Sequence, residues 1–131
     1  MKLCWPVALM IMVFILSSIP GPSRDSQTWL LTDLKPALQN GLHVPLYGLL
    51  QWLWLRALVR PARPLAMTLW FATLITVGYG CFDELHQALV PGRYASVLDV
   101  GLNTLGVVIG SLLFLWMSRG SRRFYVRRRG L

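Results

Sequence analysis

Ionisable side chains cluster in one apolar region of this sequence. The segment DELHQALVPGRYASVLDVGLNTLG runs from Asp83 to Gly106 and holds three of the five acidic residues, one of the two histidines and a single arginine. Carboxylates and imidazoles transfer protons, accept hydrogen bonds from hydroxyl groups and ligate metals, whereas a guanidinium pairs with carboxylates or phosphates. An ionisable group within an apolar stretch costs free energy unless it is paired. The cluster is therefore a candidate functional site.

The composition indicates that transmembrane helices hold this cluster. Of the 131 residues, 55% are hydrophobic and only 14% are charged, which is far more apolar than an ordinary soluble domain. A helix crosses a bilayer with roughly 17 to 25 mostly apolar residues. Four stretches predict an all-α, polytopic membrane protein with four transmembrane helices: 3–19, 42–55 with an uncharged lead-in from Pro36, 64–82 and 100–118. The first stretch is also compatible with a secretory signal peptide, but Pro20 and Pro22 crowd any cleavage point, which favours a retained helix.

The basic residues predict how these spans are oriented. Ten of the thirteen lie on one side of a four-helix arrangement: Lys2, Arg56, Arg60, Arg63, Arg119, Arg122, Arg123, Arg127, Arg128 and Arg129. Cytoplasmic loops are enriched in Lys and Arg, so both termini are expected in the cytoplasm. We expect a single membrane domain at 1–118 and a basic cytoplasmic tail at 119–131. Topology and attraction to anionic membrane lipids explain the arginine-rich tail, so no nucleic-acid partner is predicted.

Polar residues recur at helical spacing on three of the predicted spans. The three stripes comprise His43, Tyr47 and Gln51, then Thr73, Thr76, Gly80, Glu84 and Gln87, then Asp99, Asn103, Gly106 and Gly110. Residues three or four apart share one helix face. The polar ends of all three stripes fall at the outer rim, and the glycines allow close helix contact below it. We therefore expect a shallow polar cavity that opens outward.

The connection VPGRYAS joins the third and fourth spans. Pro91 and Gly92 predict a turn, and Ser96 is a suitable cap for the helix that follows. Asp99 then lies in the first turn of that helix, where the macrodipole favours a carboxylate. Arg93 is the only fixed cation close to Glu84 and Asp99. It would stabilise the turn by a bidentate pairing with one of them, or it would instead face an anionic headgroup.

The spacing of potential ligands predicts no metal site and no cofactor. ELHQ is not the zinc motif His-Glu-x-x-His, and there is no CxxC or CxxH spacing. His86 is offset from Glu84 by about 200° around the helix and is expected to point elsewhere. Cys4 and Cys81 lie near opposite membrane surfaces, too far apart for a disulfide.

Two sequence stretches together resemble the VanZ-like family of small bacterial membrane proteins. The stretches are HVPLY at 43–47 and ELHQALVPGRYASVLDVGLNTLGVVIG at 84–110. The positions that match the family pattern are His43, Tyr47, Glu84, Gln87, Pro91, Gly92, Arg93, Ser96, Asp99, Asn103, Gly106 and Gly110. The family commonly has Asp-Lys shortly before the histidine, where this chain has Gln39 and Asn40. The resemblance implies a multi-pass protein of the bacterial plasma membrane and a founding member associated with teicoplanin resistance, but no particular reaction.

Three classes of function remain open from the sequence. In the first, the outer cavity binds the headgroup of a cell-envelope lipid or glycan, such as a lipid-linked precursor or a glycolipid. The expected ligand-binding residues are His43, Tyr47, Glu84, Gln87, Arg93, Asp99 and Asn103. In the second, the polar network only locks the helices together, and the protein works by associating with other membrane proteins. In the third, His43, Glu84, His86 or Asp99 performs acid-base or metal-assisted chemistry on a lipid-linked envelope substrate.

Overall fold

Four α-helices make up the regular structure of the described residues. The structure is a computed structural model that describes residues 2–20, 36–60, 62–93 and 95–129, with the backbone alone described at 36–40 and 120–129. The helices are α1 (Cys4–Ser17), α2 (Pro36–Leu58), α3 (Leu65–Gln87) and α4 (Val97–Arg129). Among these residues there is no strand, which confirms the all-α prediction. The segment that was expected at the outer surface between α1 and α2, with Arg24, Asp25, Asp33 and Lys35, lies outside the described residues.

Two of the helices have the length and composition of transmembrane segments, namely Leu65–Gln87 and Val97–Arg119. Only 22% and 28% of their apolar windows are buried, whereas a core helix of a soluble protein is mostly buried. The other two predicted spans are weaker. The α1 helix has 14 residues and spans about 21 Å, less than the hydrocarbon core of about 30 Å. The α2 helix has 23 residues, but His43, Gln51 and Arg56 reduce its apolar character.

The helices expose apolar side chains and bury polar ones, the reverse of a soluble domain. Large hydrophobic side chains that face outward include Trp5, Trp70, Leu74, Leu85, Leu112 and Trp116. Buried polar side chains include Gln51, Thr68, Thr76, Asp83, Glu84, Gln87, Asp99 and Asn103. An apolar exterior needs an apolar solvent, so this distribution agrees with the two transmembrane helices in indicating a membrane protein.

Glycines bring α2 and α4 into direct backbone contact. A Cβ atom on Gly106 would overlap the carbonyl oxygen of Val44, and one on Gly110 would overlap the carbonyl oxygen of Gly48. Small residues permit this close approach between membrane helices, where van der Waals packing contributes most of the association. The same crossing fixes the rotation of α2 and α4, so it determines which of their residues face α3.

Charged residues separate to the two ends of the helix bundle. At one end, Lys2, Arg56 and Ser118 contribute to the lining of a cavity of about 730 Å³, where α1 begins and α2 ends. At the other end, Ser18 Oγ lies 2.9 Å from His86 Nε2, where α1 and α3 end. Helices that are consecutive in the chain therefore run antiparallel, and the acidic residues of α3 and α4 lie at the end opposite Lys2 and Arg56.

Candidate functional site

Three potential ligand groups from three different helices meet at the acidic end of the bundle. His43 lies in α2, Glu84 near the end of α3 and Asp99 in the first turn of α4. One ligand atom from each lies within 4.8 Å of the other two. Asn103 joins this group, because its Oδ1 lies 2.8 Å from His43 Nδ1. We call His43, Glu84, Asp99 and Asn103 the rim cluster.

Each carboxylate of the rim cluster has an oxygen without a hydrogen-bond partner. Glu84 Oε2 accepts a hydrogen bond of 3.1 Å from the Ser96 backbone N–H. The Asp99 backbone N–H donates to Ser96 Oγ at 3.3 Å, which confirms Ser96 as the cap of α4. Glu84 Oε1 and Asp99 Oδ1 are buried and have no hydrogen-bond partner. The turn between α3 and α4 therefore orients the Glu84 carboxylate, and both carboxylates keep an oxygen without a partner.

A second polar group surrounds Asp83, which the sequence analysis did not identify as a site residue. Its Oδ2 accepts hydrogen bonds from Tyr47 OH at 3.4 Å and from Gln87 Nε2 at 3.0 Å. Its Oδ1 is buried and has no partner. Asp83 follows Thr76 and Gly80 on the buried face of α3, so its helical position is a sequence signal that could have identified it. We call Tyr47, Asp83 and Gln87 the inner cluster.

A small cavity lies beside the inner cluster and extends to His43. Its volume is about 120 Å³, and its lining includes Ser17, His43, Tyr47, Asp83, Gln87 and Arg93. Apolar side chains of α1 and α2 complete the wall, among them Val13, Leu16 and Leu46. The space is large enough for a few water molecules or for part of a polar headgroup. His43 contacts Asn103 of the rim cluster and also lines this cavity, so it lies between the two groups.

Arg93 forms no ion pair with Glu84 or Asp99 among the described residues, so of the roles that the sequence left open the pairing is not formed. Its Nε donates to the Ile19 carbonyl at 3.2 Å, one terminal nitrogen to Gln87 Oε1 at 3.2 Å, and the other to the Leu16 carbonyl at 3.4 Å. The predicted turn before it is present, and Gly92 has a φ of 75° there, which favours glycine. Arg93 therefore ties the turn to the end of α1. The reason is geometric, because the end of α1 offers carbonyl oxygens that accept these bonds, and no sequence pattern placed them beside Arg93.

These contacts predict that Arg93→Ala loosens the attachment of α1. Three hydrogen bonds from a charged donor would be lost at a partly exposed site, and we expect the free energy of unfolding to fall by about 1 to 3 kcal/mol. Thermal unfolding in detergent micelles would measure the change, with the exposed Arg60→Ala as the matched control. Adding Glu84→Gln should change the stability by the same amount as it does in the wild type, because Arg93 does not contact Glu84. A recovery larger than that amount in the double variant would contradict the contacts described here.

Two further groups complete the polar interior. His86 lies apart from the rim cluster, as predicted, and its ring stacks on Phe14 with centroids 4.4 Å apart. Gln51 is fully buried and donates to Thr73 Oγ1 at 3.1 Å and to Ser111 Oγ at 3.0 Å. Gln51 therefore links α2 to both α3 and α4 below the cavity, and it serves packing rather than the site.

The comparisons with known proteins give one match. A protein-family model described as VanZ/LLP1 matches residues 3–118. No curated protein and no solved structure gives a significant match. The matched range includes all four helices up to the basic segment, and it contains every residue of the rim cluster and the inner cluster.

Proposed function

This chain belongs to the VanZ/LLP1 family, and we propose that it binds the headgroup of a cell-envelope lipid or glycan in a polar cavity on the outer side of the membrane. The observation that carries the proposal is the inner cluster, where Asp83 Oδ1 is buried, unpartnered and beside a cavity. A buried acceptor without a donor costs about 1 to 3 kcal/mol. A sugar hydroxyl would supply that donor.

The chemistry around the cavity suits a headgroup that carries both hydroxyl and phosphate groups. Glu84 Oε1 and Asp99 Oδ1 add two more acceptors, and Asn103 Nδ2 adds a donor, all buried and without partners. A guanidinium has five N–H donors, of which Arg93 uses three on Ile19, Gln87 and Leu16. The remaining two are available to a phosphate. The proposed ligand-binding set is thus Asp83 together with His43, Tyr47, Glu84, Gln87, Arg93, Asp99 and Asn103.

The proposal includes a topology of four spans with both termini in the cytoplasm. Lys2 and Arg56 share one end of the bundle, opposite Glu84 and Asp99, and a basic end on the cytoplasmic side agrees with the usual loop composition. The short α1 would cross with local thinning of the bilayer. On this arrangement 1–118 form the membrane domain of a bacterial plasma-membrane protein, and 119–131 carry its basic cytoplasmic part.

Reporter fusions would test this topology. A cytoplasmically active reporter joined after Leu131 or within the 59–63 loop should be active, and the same reporter placed in the 91–95 turn should be inactive. An exported reporter should give the opposite pattern. Activity of the exported reporter at the C-terminus would contradict the topology and would place the rim cluster on the cytoplasmic side.

Headgroup binding would be tested with purified full-length protein in detergent and a polyprenyl diphosphate that carries a sugar. Asp83→Asn preserves the size of the side chain and an oxygen for Tyr47 and Gln87, but it removes the charge that a sugar hydroxyl would meet. Truncating a close charged contact costs about 2 to 5 kcal/mol, so binding measured by native mass spectrometry should weaken at least about tenfold. The polyprenyl alcohol without a headgroup serves as the control lipid, and His86→Ala as the control variant. Equal binding of both lipids, or unchanged binding by folded Asp83→Asn, would contradict the proposal.

One observation favours a second candidate function, in which the polar network only locks helices and the partners are other membrane proteins. Gln51 joins three helices with its amide group and lines no described cavity. That function predicts no specific lipid binding in the experiment above. It also predicts that Asp83→Asn leaves sensitivity to a glycopeptide antibiotic such as teicoplanin unchanged, whereas headgroup binding predicts a change in sensitivity.

A further inference from the structure

We propose that the rim cluster binds a divalent transition-metal ion, Mn²⁺ or Zn²⁺, through His43, Glu84 and Asp99. One imidazole and two carboxylates from three helices converge with their ligand atoms within 4.8 Å of one another. First-row ions bind nitrogen and oxygen at about 2.0 to 2.2 Å, which places ligand atoms about 3 to 4.4 Å apart. Each ligand atom would have to move by less than about an ångström to reach bonding distance of an ion at the centre of the cluster. The inference goes beyond headgroup binding and does not depend on it.

The hydrogen bond to Asn103 prepares His43 to be a ligand. An amide oxygen only accepts, so the 2.8 Å contact with Asn103 Oδ1 requires the proton to be on Nδ1 of the histidine. The neutral ring then carries a free lone pair on Nε2. Metal-binding histidines almost always donate their other ring N–H to an oxygen, which fixes the tautomer and the ring orientation. Asn103 is therefore placed as an outer-sphere partner.

Neither carboxylate is paired with a lysine or an arginine among the described residues. Glu84 is 3% exposed and Asp99 is 9% exposed, and each has a buried oxygen with no partner. Arg93 is the nearest arginine or lysine along the chain, and its guanidinium is bonded to Gln87 and to two carbonyls of the α1 end. Burying two like charges without compensation is costly. A divalent cation would satisfy both free oxygens and neutralise the pair.

The donor set favours Mn²⁺ or Zn²⁺ over Mg²⁺ and Ca²⁺. An imidazole ligand suits zinc and other transition metals, whereas magnesium and calcium prefer an all-oxygen shell. Three protein ligands would leave one or more coordination positions for water or for a ligand oxygen. The sequence analysis predicted no metal because it examined spacing within single helices. A site with one ligand from each of three helices has no such spacing.

The test is metal binding by the purified full-length protein, treated with chelator and titrated with Mn²⁺ or Zn²⁺ alone. We expect one ion per chain, and we expect bound Mn²⁺ to show coupling to an imidazole nitrogen in pulsed electron paramagnetic resonance. Glu84→Gln and Asp99→Asn should each weaken binding by at least about tenfold, and Asn103→Leu by about 10- to 100-fold. His86→Ala is the matched control, since it removes the other imidazole at this end of the bundle, which lies apart from the rim cluster, and it should leave metal affinity unchanged.

The control experiments separate loss of the site from loss of the fold. Without metal, Glu84→Gln and Asp99→Asn should unfold at temperatures no lower than the wild type, because they remove an uncompensated charge. Absence of binding to the wild type, absence of nitrogen coupling, or equal affinity in folded Glu84→Gln would overturn the metal site. Those outcomes would not contradict headgroup binding, because the headgroup experiment measures how Asp83→Asn changes lipid binding without added metal.

Discussion

Gly110→Ala is expected to lower the free energy of unfolding by about 1 to 3 kcal/mol or more, because it forces backbone atoms apart. A Cβ atom at this position would lie 3.0 Å from the carbonyl carbon of Gly48, 3.1 Å from its Cα, and closer still to its oxygen. A flexible side chain relieves such a clash by changing rotamer, but a helix backbone moves only as a unit. The α2–α4 crossing must therefore widen, and the dispersion contacts along it weaken together.

Gly101→Ala is the matched control for this prediction. Both glycines lie in α4, but a Cβ atom on Gly101 would meet nothing within 4 Å. Alanine is preferred over glycine in a helix by about 1 kcal/mol, so the control should be neutral or stabilising. Unfolding by titration with a denaturing detergent would measure both variants. Equal stability of Gly110→Ala and Gly101→Ala would contradict the close backbone contact between α2 and α4.

The helical stripes of the sequence predicted which side chains would be buried. Tyr47 and Gln51 are buried on α2, Gly80 and Glu84 on α3, and Asn103 on α4. The prediction succeeds because a polar or small residue at helical spacing within an apolar span has a strong reason to face other helices. Their roles as ligand-binding residues stay a prediction, since burial alone does not show what they bind.

Other features could not be read from periodicity. Arg93 bonds to carbonyl groups of Leu16 and Ile19, more than seventy residues away in sequence, and backbone acceptors leave no trace in residue type. The polar residues of α2 are the reason that its length does not make it a clear span. A helix that supplies His43 to the site and Gln51 to interior packing is less apolar than one that only faces lipid. The site itself therefore weakens the sequence signal of the helix that builds it.

Asp83 lies beside the predicted polar stripe of α3. That stripe runs through Gly80 and Glu84, although Asp83 also lies three residues after Gly80. A helix face that packs between two other helices is wide enough to include adjacent positions such as Asp83 and Glu84. These two neighbours then belong to different clusters, because Asp83 contacts Tyr47 and Gln87 whereas Glu84 meets Asp99 and Ser96.

Tyr47→Ala is expected to cause the largest loss of stability, about 3 to 5 kcal/mol by comparison with other buried aromatic side chains. Tyr47 is 1% exposed, its ring lies beside His43 and Tyr79 with centroids 6.3 Å from each, and its hydroxyl donates to Asp83. Removing the ring would leave a cavity at the point where α2 meets Gly80 of α3. Trp116→Ala also deletes an aromatic ring but at a 73% exposed position, so it should cost far less.

Tyr47→Phe separates the contribution of ring packing to stability from that of the hydroxyl hydrogen bond. The ring is retained, and only the 3.4 Å hydrogen bond to Asp83 Oδ2 is lost. A bond of that length is weak, and Gln87 Nε2 still donates to the same oxygen, so the loss should be about 1 kcal/mol. Detergent-titration unfolding of both Tyr47 variants and Trp116→Ala would give the comparison. If Tyr47→Phe were as damaging as Tyr47→Ala, the hydroxyl rather than the ring would stabilise the bundle. Asp83 would then be held by Tyr47 as part of the structure, and it would no longer be a free acceptor for a headgroup.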